Sequence, residues 1–163
     1  MRYQIKPLPI FLIILGLILN IFSANKLDQY FYLNTTKSLP RGLYWVTKKI
    51  PTVGDLVVID LPIEVQKFLF EEGHLQFKGL LLKPVIAMEG DNVCRIDNSI
   101  VVNNQIKLTK NKRLNLYPIC RHLITQEFFV AIVAHDNSLD SRYFGPINRE
   151  DLKAVVRPLI VFK

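Results

Sequence analysis

The 163-residue chain predicts a mainly β domain with one short inserted helix, set behind a single N-terminal transmembrane helix. Three observations lead there. No charge occurs from Pro7 through Asn25, and Leu8 to Ala24 is almost wholly apolar, long enough as a helix to cross a bilayer. Beyond it, short runs rich in β-branched and aromatic residues recur between Gly, Pro, Asn and Asp punctuation. The exception is Ile63 to His74, where Val65, Phe68, Leu69 and Glu71-Glu72 follow a helical period ended by Gly73.

The first element is the anchor, in which Asn20 and Ser23 are the only polar residues before Asn25. Arg2, Lys6 and the terminal amine precede it, whereas Lys26 behind it is offset by Asp28. That asymmetry predicts a single-pass, N-in orientation with the rest of the chain across the membrane. A cleaved signal peptide needs small residues at the cut, and Phe22-Ser23-Ala24 places a bulky side chain there, so residues 1–25 read as an uncleaved anchor. Residues 26–163 read as one domain. Gly42 to Thr47 is a strand, Pro51-Thr52-Val53-Gly54-Asp55 a turn, and Leu56 to Leu61 a second strand. Leu80 to Met88 is a third, entered through Gly79 and left through Glu89-Gly90-Asp91. Val93 to Ile96, Ser99 to Val102 and Gln105 to Leu108 form a meander with two-residue turns at Asp97-Asn98 and Asn103-Asn104. Phe128 to Ala134 and Val155 to Phe162 are the closing strands.

A formal charge of +7 raises the question of nucleic acid. The basic residues are scattered, as Lys48-Lys49, Lys107, Lys110, Lys112-Arg113 and Arg121, with no basic helix and no recognised motif. No nucleic-acid partner is therefore expected, and a mildly basic surface near an anionic lipid bilayer accounts for the charge. Cys94 and Cys120 match no metal spacing, so neither metal nor cofactor is expected. One disulfide and two buried free thiols both stay open for them, because sequence does not measure their separation in space.

The chemistry rests on two short stretches. Ser38-Leu39-Pro40-Arg41-Gly42 offers a hydroxyl on a turn, and Lys83 stands alone inside the apolar run Leu80 to Ala87. A serine becomes a nucleophile when a nearby base takes its proton, and burial can leave a lysine neutral enough to be that base. The pairing suggests a Ser-Lys hydrolase. The plainer alternatives are an ordinary turn and a lysine whose stem follows an apolar surface while its ammonium reaches water. Ser138, within Asp136-Asn137-Ser138-Leu139-Asp140, could hydrogen-bond the amine and fix its direction. His74, His122 and His135 are assigned surface or packing roles, since strand neighbours such as His135-Asp136 point to opposite faces and do not form a Ser-His-Asp relay.

In order, the anchor, Ser38-x-Pro40-x-Gly42-x-Tyr44, Pro51-x-x-Gly54-Asp55-x-Val57, Leu82-Lys83-x-Val85-x-Ala87-x-x-Gly90-Asp91 and Asn137-Ser138-x-Asp140-Ser141-Arg142-Tyr143-Phe144-Gly145-Pro146 resemble the signal peptidase I superfamily, peptidase family S26. Within it the chain is most similar to the TraF-type conjugative transfer peptidases, over essentially its whole length. The resemblance implies a signal-peptidase-like antiparallel β domain, with Ser38 as nucleophile, Lys83 as general base and Ser138 orienting the lysine. It also implies an oxyanion site formed by the Ser38 amide and the hydroxyl of Thr36, which stands where the family often has serine. Asp140 and Arg142 would brace the site by an ion pair, although Asp140 has also been viewed as catalytic in TraF-like members. The implied reaction is acyl transfer on a membrane-inserted pre-protein or pre-pilin. The implied place is the periplasmic, extracytoplasmic side of a bacterial inner membrane, beside a conjugative transfer apparatus. Water as acceptor gives cleavage, and the substrate's own amine gives a cyclised pilin. Three positions depart from the pattern: Leu39 replaces methionine, Pro84 replaces the arginine that commonly follows the base, and Glu89 replaces proline. Two other classes compete. A catalytically silent, membrane-tethered assembly protein predicts damage at Ser38, Lys83 or Ser138, all of which are present. Self-cleaving repressors share a Ser-Lys pair but are cytoplasmic and lack a spanning helix.

Overall fold

The computed structural model describes residues 7–23, 29–71, 80–97, 99–109 and 120–162. In chain order these form α1 (Pro7–Ser23), β1 (Phe31–Asn34), β2 (Gly42–Thr47), β3 (Leu56–Asp60), α2 (Ile63–Glu71), β4 (Leu80–Met88), β5 (Asn92–Ile96), β6 (Ser99–Val102), β7 (Ile106–Thr109), β8 (Arg121–His122), β9 (Glu127–Val130), α3 (Ser141–Phe144), β10 (Ile147–Asn148) and β11 (Leu152–Val161). The strands make a seven-stranded sheet, ordered β1-β2-β11-β3-β4-β9-β10, and a four-stranded sheet, ordered β7-β6-β5-β8. Their pairings are antiparallel throughout. The chain is thus mainly antiparallel β with few helices.

Of the spanning helix expected over Leu8 to Ala24, the structure describes α1, a helix of 17 residues from Pro7 to Ser23. No helix among the described residues is long and apolar enough to cross a membrane. Arg2, Lys6, Ala24, Asn25, Lys26 and Asp28 lie outside the described residues.

The core is built on β3. Val57, Val58 and Ile59 are all buried, so this strand is covered on both faces. Val57 and Ile59 join Val85, Val130 and Val155 on one face, while Val58 meets Tyr44, Leu82 and Val156 on the other. The four-stranded sheet closes over the far end of β4 and β9, where Val93, Ile100, Val102 and Leu108 pack with Ala87 and Phe129.

Several boundaries differ from the sequence expectation. The strand expected over Phe128 to Ala134 stops at Val130. Ala131 N–H still donates to the Pro84 carbonyl at 3.1 Å, but proline has no N–H to return. Ile132 N–H turns instead to the Asp140 carboxylate at 3.2 Å. β11 begins at Leu152 rather than Val155. α2 is described to Glu71, and Gly73, His74 and Gly79 lie outside the described residues, as do Asn98, Lys110, Lys112 and Arg113. The Asn103-Asn104 turn forms with φ of 49° and 57°, a left-handed conformation that asparagine tolerates, and Gln105 N–H closes it on the Val102 carbonyl at 3.0 Å. β5 lies beside β8, and Cys94 and Cys120 are joined by a disulfide there.

Candidate active site

β1 pairs with β2 so that Asn34 lies opposite Gly42, which forces the chain to reverse through residues 35–41. Asn34 is 1% exposed and holds that reversal from inside. Its Nδ2 donates to the carbonyls of Thr36 (3.3 Å), Leu39 (3.2 Å) and Pro40 (3.0 Å). Its Oδ1 accepts from the Thr36 N–H (3.2 Å) and from the Thr36 hydroxyl (2.8 Å). Tyr44 adds its own hydroxyl to the Pro40 carbonyl at 2.6 Å. At the loop's exit Gly42 is required by space. A Cβ there would run into the Ile160 carbonyl and come within 2.9 Å of Val161 Cα. The end of β11 therefore lies against the loop, and Phe162 N–H donates to the Arg41 carbonyl at 2.8 Å. Ser38 sits on this braced turn, half-buried.

Lys83 comes from the middle of the large sheet. It lies opposite Val57 on β3, with Leu81 and Val85 as its neighbours on the same face of β4. Lys83 is 3% exposed. Its Nζ donates to Ser138 Oγ at 2.8 Å and to Ser38 Oγ at 3.4 Å. Loss of water around the ammonium lowers its pKa from 10.5 to about 8. The Asp140 carboxylate opposes that shift and the Arg142 guanidinium adds to it.

Ser138 reaches Lys83 through a turn fixed from behind. Asp140 caps the short helix α3, its Oδ1 accepting Arg142 N–H at 3.2 Å. The same carboxylate takes Arg142 Nε and Nη2, each at 2.8 Å, in a two-pronged pair whose side chains are both 0% exposed. Arg142 also donates to the His135 carbonyl, which accepts Ser138 N–H at 3.2 Å. The pair and Ser138 thus share one anchoring carbonyl. Ser141 Oγ accepts Val130 N–H at 3.0 Å and ties α3 to the end of β9.

Of the residues singled out in the sequence, Ser38, Lys83, Ser138 and Thr36 meet at one place, with Thr36 Oγ1 3.4 Å from Ser38 Oγ. Asp140 and Arg142 lie behind them. Ser38 opens onto a groove of about 520 Å³ shared with Lys37, Arg41, His135 and Phe162. His135 is exposed there, while His122 is turned to the Gly90 carbonyl at 3.0 Å. Among the described residues no cluster of three His, Cys, Asp or Glu could hold a metal ion. Asn34 escaped the sequence reading, although an asparagine just ahead of a turn is the usual sign of a side chain that satisfies loop backbone, and Ser141 was read only as a member of the Asn137 to Pro146 motif, with no role of its own.

Comparison with known proteins shows the family. The family described as signal peptidase, peptidase S26, matches residues 4–160. A plasmid transfer protein TraF of Escherichia coli is 33% identical over 150 residues, covering 79% of this chain and 82% of its own. A conjugal transfer protein TraF of Agrobacterium fabrum is 31% identical over 170 residues, covering 93% of this chain and 94% of its own. A signal peptidase I from Enterococcus faecalis V583 superposes at a TM-score of 0.42 and 18% identity over 67% of this chain and 98% of that one, too loosely to argue from. With a match that runs from the first described helix to the last strand, the chain belongs to the signal peptidase family, peptidase S26, and is a peptidase by that membership.

Proposed function

We propose that the chain is a membrane-anchored serine endopeptidase of the signal peptidase I and TraF type, with Ser38 as nucleophile and Lys83 as general base. The observation that carries this is a buried amine, brought down to about 8, lying 2.8 Å from Ser138 Oγ and 3.4 Å from Ser38 Oγ. Neutral Lys83 takes the Ser38 proton as Oγ attacks the scissile carbonyl. Ser138 accepts an Nζ–H and leaves the nitrogen lone pair free to face Ser38. The oxyanion is met by the Ser38 N–H and the Thr36 hydroxyl, and the Lys83 ammonium then protonates the leaving amine. Water, activated by the same lysine, hydrolyses the acyl-enzyme, or the substrate's own amine displaces Ser38 to close a ring. The 3.4 Å separation is looser than a productive hydrogen bond, as is common before substrate closes a site.

The proposed substrate is an exported pre-protein or a conjugative pre-pilin held in the membrane, a choice supported by the plasmid and conjugal transfer names of the relatives. α1 serves as the described part of the anchor, and the peptidase domain lies on the extracytoplasmic side. Phe31, Leu33 and Trp45 on β1 and β2, the strands joined by the Ser38 loop, and Leu159 to Phe162 at the end of β11, which meets that loop, are exposed apolar residues. A surface of that kind suits work at a lipid face.

Cleavage of a membrane-inserted pre-protein or pre-pilin by wild type, Ser38→Ala and Lys83→Ala, with products weighed by mass spectrometry, tests the proposal. Both variants are expected to be inert. A product one water lighter than the linear fragment marks ring closure. Ser38→Ala that cuts as well as wild type would return the chain to the assembly-protein class.

A further inference from the structure

We infer that Asn34 is a positioning residue for catalysis, holding the Ser38 loop at both ends and setting the direction of the Thr36 hydroxyl; this rests on Ser38 being the nucleophile. The carbonyls of Thr36, Leu39 and Pro40, which flank Ser38 on either side, all accept from one buried amide nitrogen. Ser38 therefore cannot shift without breaking bonds to a side chain that is itself 1% exposed. Aspartate lacks the donors, and leucine of similar size lacks both donor and acceptor.

The second part concerns one proton. Among the described residues Thr36 Oγ1 has two hydrogen-bonding neighbours, Asn34 Oδ1 at 2.8 Å and Ser38 Oγ at 3.4 Å. The amide oxygen cannot donate, so Thr36 donates to it, and a lone pair of Thr36 faces Ser38. At rest Thr36 is thus an acceptor toward the nucleophile. To stabilise an oxyanion it must turn its proton away from Asn34. Asn34 Oδ1 keeps the Thr36 N–H at 3.2 Å when that happens, so the turn leaves no buried oxygen without a partner. Asn34 accordingly fixes where the donor stands and permits it to switch.

The test uses the full-length chain in lipid vesicles with a peptide substrate, measuring kcat, KM, the pH profile and thermal stability. Asn34→Ala is expected to lower kcat about 100-fold with KM within about threefold, since misplacing a reacting group by about 1 Å costs that much. Its rising pH limb stays where wild type has it, because Lys83 is untouched. Thr36→Val is expected to lose about 100-fold, the cost of one oxyanion donor, and Thr36→Ser to recover most of it. The double variant Asn34→Ala/Thr36→Val is expected to fall within about threefold of the worse single variant, because the two act as one unit. Additive losses in the double variant, or a rise in KM with kcat unchanged, overturn the inference. Where Asn34→Ala fails to fold, Asn34→Asp keeps the size and the acceptor for Thr36. An intermediate loss of about tenfold is expected from it, and wild-type kcat overturns the inference. Ser38→Ala run alongside separates the two failures. An active Ser38→Ala sinks the nucleophile assignment and the role of Asn34 with it, whereas an inert one beside additive Asn34 and Thr36 losses sinks the role of Asn34 alone.

Discussion

If neutral Lys83 is the base, activity must follow its deprotonation. With burial lowering the amine to about 8, roughly 1% is neutral at pH 6, about 9% at pH 7 and half at pH 8. An ordinary lysine near 10.5 would be neutral only about 0.03% of the time at pH 7, so burial enriches the active form by more than two orders of magnitude. Measured as kcat/KM between pH 6 and pH 10, activity is expected to rise nearly tenfold per unit at first, bend near pH 8 and level above pH 9. Folding carries the matching cost. The unfolded lysine holds its proton up to about 10.5 and the folded one only to about 8, so the unfolded state binds more protons in that window. Stability in urea melts is therefore expected to rise through it, with the contribution of Lys83 worth about 3 kcal/mol at 1.36 kcal/mol per pH unit. Lys83→Met, which keeps the stem without the charge, is expected to remove that rise and to be inert. A bend near pH 10.5 would refute the buried-base argument. A bend near pH 6.5 would equally refute it, pointing to a base other than Lys83.

Four further outcomes are expected. Ser138→Ala loses the 2.8 Å partner of Nζ and should lower kcat/KM about 100-fold in steady-state kinetics, since the lysine is then free to turn. Asp140→Asn removes the counter-charge of a fully buried guanidinium and should cost about 3 to 5 kcal/mol in denaturant melts. It also removes the group that raises the Lys83 pKa, so any folded fraction should show its pH bend below about 8. Gly42→Ala drives a methyl into the Ile160 carbonyl and should destabilise by more than about 1 kcal/mol, read as a lowered Tm. Reduction of the Cys94–Cys120 bond, which spans 26 residues, should cost about 3.5 kcal/mol by chain-entropy reckoning, checked by melts with and without reductant.

What was legible in the sequence was whatever a single residue makes conspicuous. A charged residue alone in an apolar strand has few explanations, so Lys83 and β4 were read together, while Ser38, on a turn that is ordinary by itself, stood out only through its pairing with that lysine and the order of the motifs. Asn34 was passed over because its place ahead of a turn signals only local backbone bonding, whereas the carbonyls and the Thr36 hydroxyl that it holds are set by the folded loop. α3 was missed because four residues are too few to show a helical period, and Asp140 as its cap is recognisable only once the helix is known. The overlong closing strand had a different cause. Phe128 to Ala134 has strand composition to its end, but pairing depends on the neighbour, and Pro84 offers no N–H where the ladder would continue.

The buried pair behind the site resolves a conflict that neither partner could resolve alone. The turn carrying Ser138 needs a group that can accept Ile132 N–H and Arg142 N–H deep in the protein, and a carboxylate does this well. A lone carboxylate there would hold Lys83 in its charged form and remove the base. Arg142 supplies the opposite charge in bidentate contact, and its effect on the lysine opposes that of Asp140. Desolvation then remains the leading influence on Lys83, and the amine stays low enough to act. The same geometry bears on whether Asp140 itself reacts. Its Oδ1 holds Arg142 Nε and N–H, its Oδ2 holds Arg142 Nη2 and Ile132 N–H, and it is 0% exposed. A carboxylate so committed has no oxygen to offer a substrate, so in the proposed mechanism the part of Asp140 is to hold Ser138 in place without recharging Lys83.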